Sequence, residues 1–161
     1  MRLFKTTIVL LALALPATGN GQSLGYSDAD TPGEAVGMMK ASLYAAELMK
    51  SECVSRFPDS RAEIDENLAK WKTAEAEVLK KAELYWSAMV EKSPGVAVNL
   101  EYVETAVRKT LEILAGMPSQ PGANVLSQYC RQHFSSLASG IRRSRTPRAY
   151  EYLDQLPATL K

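Results

Sequence analysis

The sequence has 161 residues, 46% of them apolar and 23% charged, with 19 basic against 18 acidic side chains. This size and balance suit one domain with a modest core. They argue against nucleic acid or an anionic membrane as the main partner. Low glycine and few phenylalanines, beside plentiful Ala, Glu, Lys and Leu, point to helices.

The chain opens on the pattern of an export signal. Arg2 and Lys5 form a basic start, Thr6 to Leu15 an apolar run, and Ala17-Thr18-Gly19 a small-residue cleavage site. Residues 1–19 are therefore read as a signal peptide, cut before Asn20. The apolar run is too short to span a bilayer and no second candidate follows, so no membrane insertion is expected. The expected location is the periplasm or the exterior. Leu15-Pro16-Ala17-Thr18-Gly19 also spells the sortase sorting pattern, but here the apolar segment precedes it, and the match is read as coincidence. Losing Arg2 and Lys5 leaves 17 basic against 18 acidic residues, a net charge of −1.

Residues 20–30 read as a polar, flexible lead-in, and residues 31–161 as one helical domain. Thr31-Pro32-Gly33-Glu34 predicts a capped helix start. A stripe of Val36, Met39, Leu43, Ala46, Cys53 and Phe57 follows, interrupted by Lys50. Pro58 ends this first helix. Ser60-Arg61-Ala62-Glu63 reads as a second capping box, opening a single long helix from Ser60 to Lys92. That helix would be roughly 45–50 Å long at 1.5 Å per residue, and the other helices are expected to organise around it. Its stripe is Ile64, Leu68, Trp71, Val78, Ala82, Tyr85 and Met89. Glu75 is the one lapse, expected at the stripe's edge with its carboxylate in water.

Ser93-Pro94-Gly95 stops that helix. A third stripe runs Val96, Leu100, Val103, Val107, Leu111 and Leu114, with Gly116 as the natural cap. The fourth helix is expected from about Ala123 to Ile141, aligning Leu126, Cys130, His133, Leu137 and Ile141. Thr146-Pro147 then starts a short last helix carrying Tyr150, Leu153 and Leu156 onto the bundle. Four amphipathic helices joined by short turns predict an all-α, up-down-up-down four-helix bundle with a short C-terminal helix.

Two cysteines in an exported chain predict one disulfide, Cys53–Cys130. In the predicted bundle both lie toward the same end of antiparallel neighbours. The bridge would add roughly 4 kcal/mol on the chain-entropy estimate. The same register places Met49 and Lys50 level with His133.

No catalytic site assembles from these residues, and the chain is read as a non-enzyme with no cofactor. His133 is the only histidine, too few ligands for a zinc or di-iron site. A Cys130–His133 dyad shares a helix face but would be abolished by the disulfide. Met38, Met39 and Met49 could be a copper-binding thioether set, yet two are adjacent and point apart. Methionine facing histidine across a bundle resembles the haem ligation of cytochrome b562-type proteins. That resemblance implies haem ligands Met49 and His133 as an alternative function.

Arg142, Arg143, Arg145 and Arg148, with Arg131, lie in a span without any acid from position 113 to 150. Asn20 to Val98 is net −4 (9 basic, 13 acidic) and Asn99 to Lys161 net +3 (8 basic, 5 acidic). Arginine forks suit carboxylates and phosphates, so Arg142, Arg143, Arg145 and Arg148 are the expected partner-binding residues. The acidic stretch Asp59 to Glu66 is the expected intramolecular counterpart or a second contact face.

An export signal, Cys53, Phe57-Pro58 at a hairpin, Trp71 and a second cysteine together resemble small secreted helical proteins of Gram-negative bacteria. These include periplasmic immunity proteins and enzyme inhibitors. The resemblance is one of architecture. It implies a non-enzymatic protein that binds and neutralises another protein, such as a toxin, effector or hydrolase. A general envelope stress chaperone is the further alternative, and it would need an exposed apolar surface.

Overall fold

The computed structural model describes residues 28–95, 99–117 and 124–160. The expected signal peptide, residues 20–27 of the lead-in, and Val96 and Ala123 lie outside the described residues. Seven α-helices are described: α1 (Pro32–Arg56), α2 (Arg61–Ala74), α3 (Ala76–Lys92), α4 (Asn99–Ala115), α5 (Val125–Ala138), α6 (Ile141–Arg145) and α7 (Pro147–Gln155). The described residues contain no strand.

Helix α1 is the hub, a position expected of the Ser60–Lys92 stretch instead. It packs against α3, α7, α4, α5 and α2. Its composition explains why. Ala35, Val36, Met39, Ser42, Ala46, Met49, Cys53 and Val54 are buried, and Met38, Leu43, Tyr44 and Leu48 pack partly against the same core. Apolar and small residues therefore lie on several sides, as a helix with many neighbours requires. Met39 and Met49 fill core space. Ser42 is tolerated there because its hydroxyl donates to the Met38 carbonyl. Around the rim, α1 is paired with α3 (Lys40–Glu83), α2 (Lys50–Asp65, and Lys72 to Glu47) and α4 (Arg108–Glu52).

Helix α1 begins as its sequence predicts. The Thr31 hydroxyl accepts from the Glu34 amide at 3.2 Å, and the Glu34 carboxylate accepts from the Thr31 amide at 3.2 Å. It ends before Pro58, with the Phe57 amide bonded to the Cys53 carbonyl at 2.8 Å. The second predicted capping box does not form. Pro58–Ser60 makes a 3-10 turn that holds Ser60 at φ −89°, ψ −1°, too helical for an N-cap, and its hydroxyl is buried without a partner.

The long second helix is two helices. Glu75, at φ −105° and ψ 15°, breaks it. The Glu75 amide still reaches the Trp71 carbonyl at 2.9 Å, and its carbonyl accepts from Leu79 at 2.8 Å. The halves serve different neighbours: α2 lies mainly along α5, while α3 lies along α1 and α7. Ile64, Leu68 and Trp71 are buried in the first half, Val78, Ala82 and Trp86 in the second. The principal neighbours of α4 are α1 and α5. Its buried face is the predicted Val103, Val107, Leu111 and Leu114.

Helix α5 starts at an Asn124 cap, whose side chain accepts from the Ser127 amide at 3.0 Å. It ends at Ala138, short of the predicted Ile141, because Gly140 takes a left-handed turn at φ +73°. Ile141 thereby leaves the apolar line and is 38% exposed. Helix α7 starts at Pro147 and buries Tyr150 and Leu153 as predicted. Cys53 and Cys130 form the expected disulfide, fully buried and with Cα atoms 5.9 Å apart, tying α1 to α5.

Candidate functional site

The arginine run forms a corner built from the Gly140 turn, α6 and the start of α7. Its four arginines have different fates. The Arg143 guanidinium donates to the Asp154 carboxylate at 3.1 Å and to Glu75 at 3.4 Å, and lies 4.4 Å from the centre of the Tyr150 ring. It is the internal counter-charge of the helix break. Glu75 is only 5% exposed, which corrects its expected place at a water-facing stripe edge. A carboxylate at the centre of an apolar stripe is tolerated because a cation reaches it from α6. Burial acts to lower the Arg143 pKa, but Glu75 and Asp154 outweigh it and hold it above its ordinary value.

Arg148 is also engaged. Its guanidinium pairs with Asp30 at 2.8 Å. Tyr152 and Asp30 beside it hold its pKa above the ordinary value. Its backbone amide and that of Ala149 donate to the Asp28 carboxylate at 2.6 and 2.9 Å. Asp28 therefore caps α7 from the far end of the chain, where Thr146, the local cap residue, makes no side-chain cap bond. Burial would raise the Asp28 pKa, but the amides of Arg148, Ala149 and Ala29 together overcome it and lower it. The Tyr152 hydroxyl donates to the Asp30 carbonyl at 3.0 Å, and Ala29 is 1% exposed. Residues 28–30, the described part of the expected lead-in, thus form a clasp on α7.

The other end of α7 is held as well. Lys81 of α3 donates to the Leu153 and Asp154 carbonyls at 3.2 and 2.8 Å. A carboxylate at the helix start and an ammonium at its end both complement the helix dipole. Within the expected counterpart of the arginines, Asp59 to Glu66, Asp65 pairs with Lys50 and Glu66 with Lys70.

Arg142 is half-buried, within electrostatic range of His133 and Tyr150. Arg145 is exposed on α6, beside Ile141. Despite their internal bonds, the Arg143 and Arg148 side chains keep 49% and 52% of their surface exposed. The stretch therefore offers two exposed cations held by internal acids, Arg143 and Arg148, together with an exposed Arg145 and Ile141.

Two enclosed polar groups, Tyr150 and His133, lie within electrostatic range of Arg142. The Tyr150 hydroxyl is enclosed near Glu75, and burial, then Glu75, push its pKa up to about 12. His133 has an enclosed Nε2 with no hydrogen-bond partner, and its ring packs edge-on to Phe134 at 5.2 Å between centroids. Desolvation, with help from Arg142, pushes its pKa down to about 4. The disulfide occupies the Cys130 sulfur, so no Cys130–His133 dyad exists. Met49, the other alternative haem ligand, is fully enclosed in the core. Haem ligation by Met49 and His133 would require core side chains to be displaced.

Two other surface features are described. An open groove of about 680 Å³ lies between Lys80, Glu83, Leu84 and Ser87 of α3 and residues 158–160. Helix α4 exposes Tyr102 (72%) and Ile113 (54%), about three turns apart on one side. Among the described residues no group of three or more His, Cys, Asp or Glu could hold a metal ion, and no helix is long and apolar enough to cross a membrane. No protein-family model matches the chain, and no curated protein or solved structure matches it.

Proposed function

We propose that this chain is a non-enzymatic interaction protein of the periplasm or exterior that binds, and neutralises, another protein. The class is that of immunity proteins and inhibitors, and the target a secreted toxin, effector or hydrolase. The observation that carries the reading is the arginine corner. Ile141 stands exposed one helical turn from Arg145, on the same short stretch that carries Arg142, Arg143 and Arg148. Internal acids fix Arg143 and Arg148 in place, so less side-chain freedom is lost on docking than with free arginines. Such a surface fits a partner that presents carboxylates around a small apolar pocket. On this reading the long helices alternate up-down-up-down, and α6 and α7 are the appended recognition corner.

The test is capture of the exported chain from its own cell envelope and from a competitor-containing culture, read by native mass spectrometry. A stoichiometric second protein is expected. Ile141→Asp combined with Arg145→Glu should abolish its capture while leaving the melting temperature unchanged. Retained capture by that double variant would refute the site. One observation favours a second reading as an envelope chaperone: Tyr102 and Ile113 leave apolar surface on α4 open to clients. Suppression of aggregation of unrelated clients, with no stoichiometric partner captured, would favour it over the first.

A further inference from the structure

The contacts at α7 carry a consequence that is independent of the partner. This nine-residue helix is too short to persist alone in water. Apart from the Gln155–Glu151 bond within it, its described side-chain ties come from other elements. Asp28 caps its first amides, Asp30 accepts from Arg148 and Tyr152, Lys81 holds its last carbonyls, and Arg143 of α6 reaches Asp154. Its apolar side, Ala149, Tyr150 and Leu153, is seated mainly on α1, with α3 beside it. The chain leading into it carries the left-handed Gly140 turn and then Thr146-Pro147, and α6 between them buries none of its own residues. The disulfide, by contrast, joins α1 to α5 and leaves α6 and α7 outside the loop it closes.

From this geometry we infer that α7 is a latch that undocks from α1 and α3 as a unit, and that the clasp Asp28–Asp30 is its release element. Undocking breaks the Asp28 cap, both Asp30 contacts and the Lys81 bonds together, because all converge on the same nine residues. It leaves the bridged α1–α5 core closed. It also uncovers the apolar seat of Tyr150 and Leu153 on α1 and α3. Residues at opposite ends of the domain therefore govern one local opening, and loss or displacement of residues 28–30 opens it.

Hydrogen exchange read by mass spectrometry on the full exported chain tests this. In the wild-type protein, amides of residues 148–155 should exchange through an opening more frequent than that of the amides around Cys53 and Cys130. Asp28→Ala should accelerate residues 148–155 by roughly tenfold, as loss of two charge-assisted cap bonds predicts. The amides around the disulfide should be unchanged. Asp28→Asn, which keeps an acceptor oxygen, should fall between. Equal acceleration in α7 and the core would show one cooperative unit and overturn the latch. An unchanged α7 in Asp28→Ala would overturn the clasp.

Discussion

Glu75 and Arg143 give the sharpest test of how this fold is held. The carboxylate is 5% exposed and the guanidinium side chain 49%, with 3.4 Å between them. Removing one partner of a fully buried pair costs about 3–5 kcal/mol. Arg143 reaches in from the surface, and water can partly replace it, so Arg143→Ala should cost less, about 2 kcal/mol. Part of that is the stacking on Tyr150 and the bond to Asp154, which Glu75→Gln leaves intact. Glu75→Gln should therefore cost only about 1 kcal/mol, because a neutral amide can still accept from the guanidinium. The pair is read out by the cycle. The double variant Glu75→Gln, Arg143→Ala should be less destabilised than the sum of the singles, with a coupling of about 1 kcal/mol. Urea unfolding with the disulfide intact, followed by the fluorescence of Trp71 and Trp86, supplies the free energies. Additive singles, or an Arg143→Ala variant as stable as the parent, would refute the claim that Arg143 makes the break at Glu75 tolerable.

Two further predictions rest on single groups. His133 has its pKa pushed down to about 4 by burial, against an ordinary value near 6.5. The unfolded chain thus binds the proton that the folded chain refuses. Stability should fall as pH drops from about 6.5 toward 4, by up to roughly 3 kcal/mol, and this contribution should be flat below. The Asp28 contribution has the opposite origin and is lost only as pH falls below its ordinary 3.8. His133→Phe should remove the step between pH 4 and 6.5 in a melting series, and a persisting step would assign it to other groups. At Gly140, φ is +73° and open space surrounds the site of an added Cβ. Gly140→Ala should therefore cost about 1 kcal/mol from backbone strain alone, measured by the same urea unfolding. A neutral substitution would mean that the α5–α6 turn relaxes without penalty.

Much of the helix content was legible because period and punctuation agreed. Thr31 to Glu34 capped where the sequence said, Pro58 stopped α1, and Thr146-Pro147 began α7. The disulfide was legible from cysteine parity in a chain whose opening residues read as an export signal, and the structure pairs the same two residues. What local reading missed depends on partners distant in sequence. Ser60 has every local feature of a cap, but the 3-10 turn forced by Pro58 removes the extended backbone it needs. Residues 28–30 look like lead-in until α7 arrives 120 residues later to receive Asp28. The arginine run was visible as a charge cluster. Its main counter-charges, Glu75, Asp154 and Asp30, are scattered singly, whereas the acidic stretch that stood out answers lysines instead.

Glu75 shows how a single residue sets the arrangement. Val78 follows Trp71 by seven positions, and a leucine between them at 75 would complete one continuous stripe. A continuous stripe lets a long helix run straight along one neighbour. With glutamate there, a straight helix would bury an unpaired carboxylate against that neighbour, at a cost of several kcal/mol. The chain escapes this by breaking where α6 can deliver Arg143. The break then sends α2 along α5 and α3 along α1 and α7. Helix propensity at Thr73-Ala74-Glu75-Ala76 favours no break, and neither proline nor glycine is present. The joint is therefore tertiary in origin. Replacing the pair by apolar residues should keep the stability and lose the bend, since a half-exposed ion pair adds little net strength over a well-packed apolar replacement.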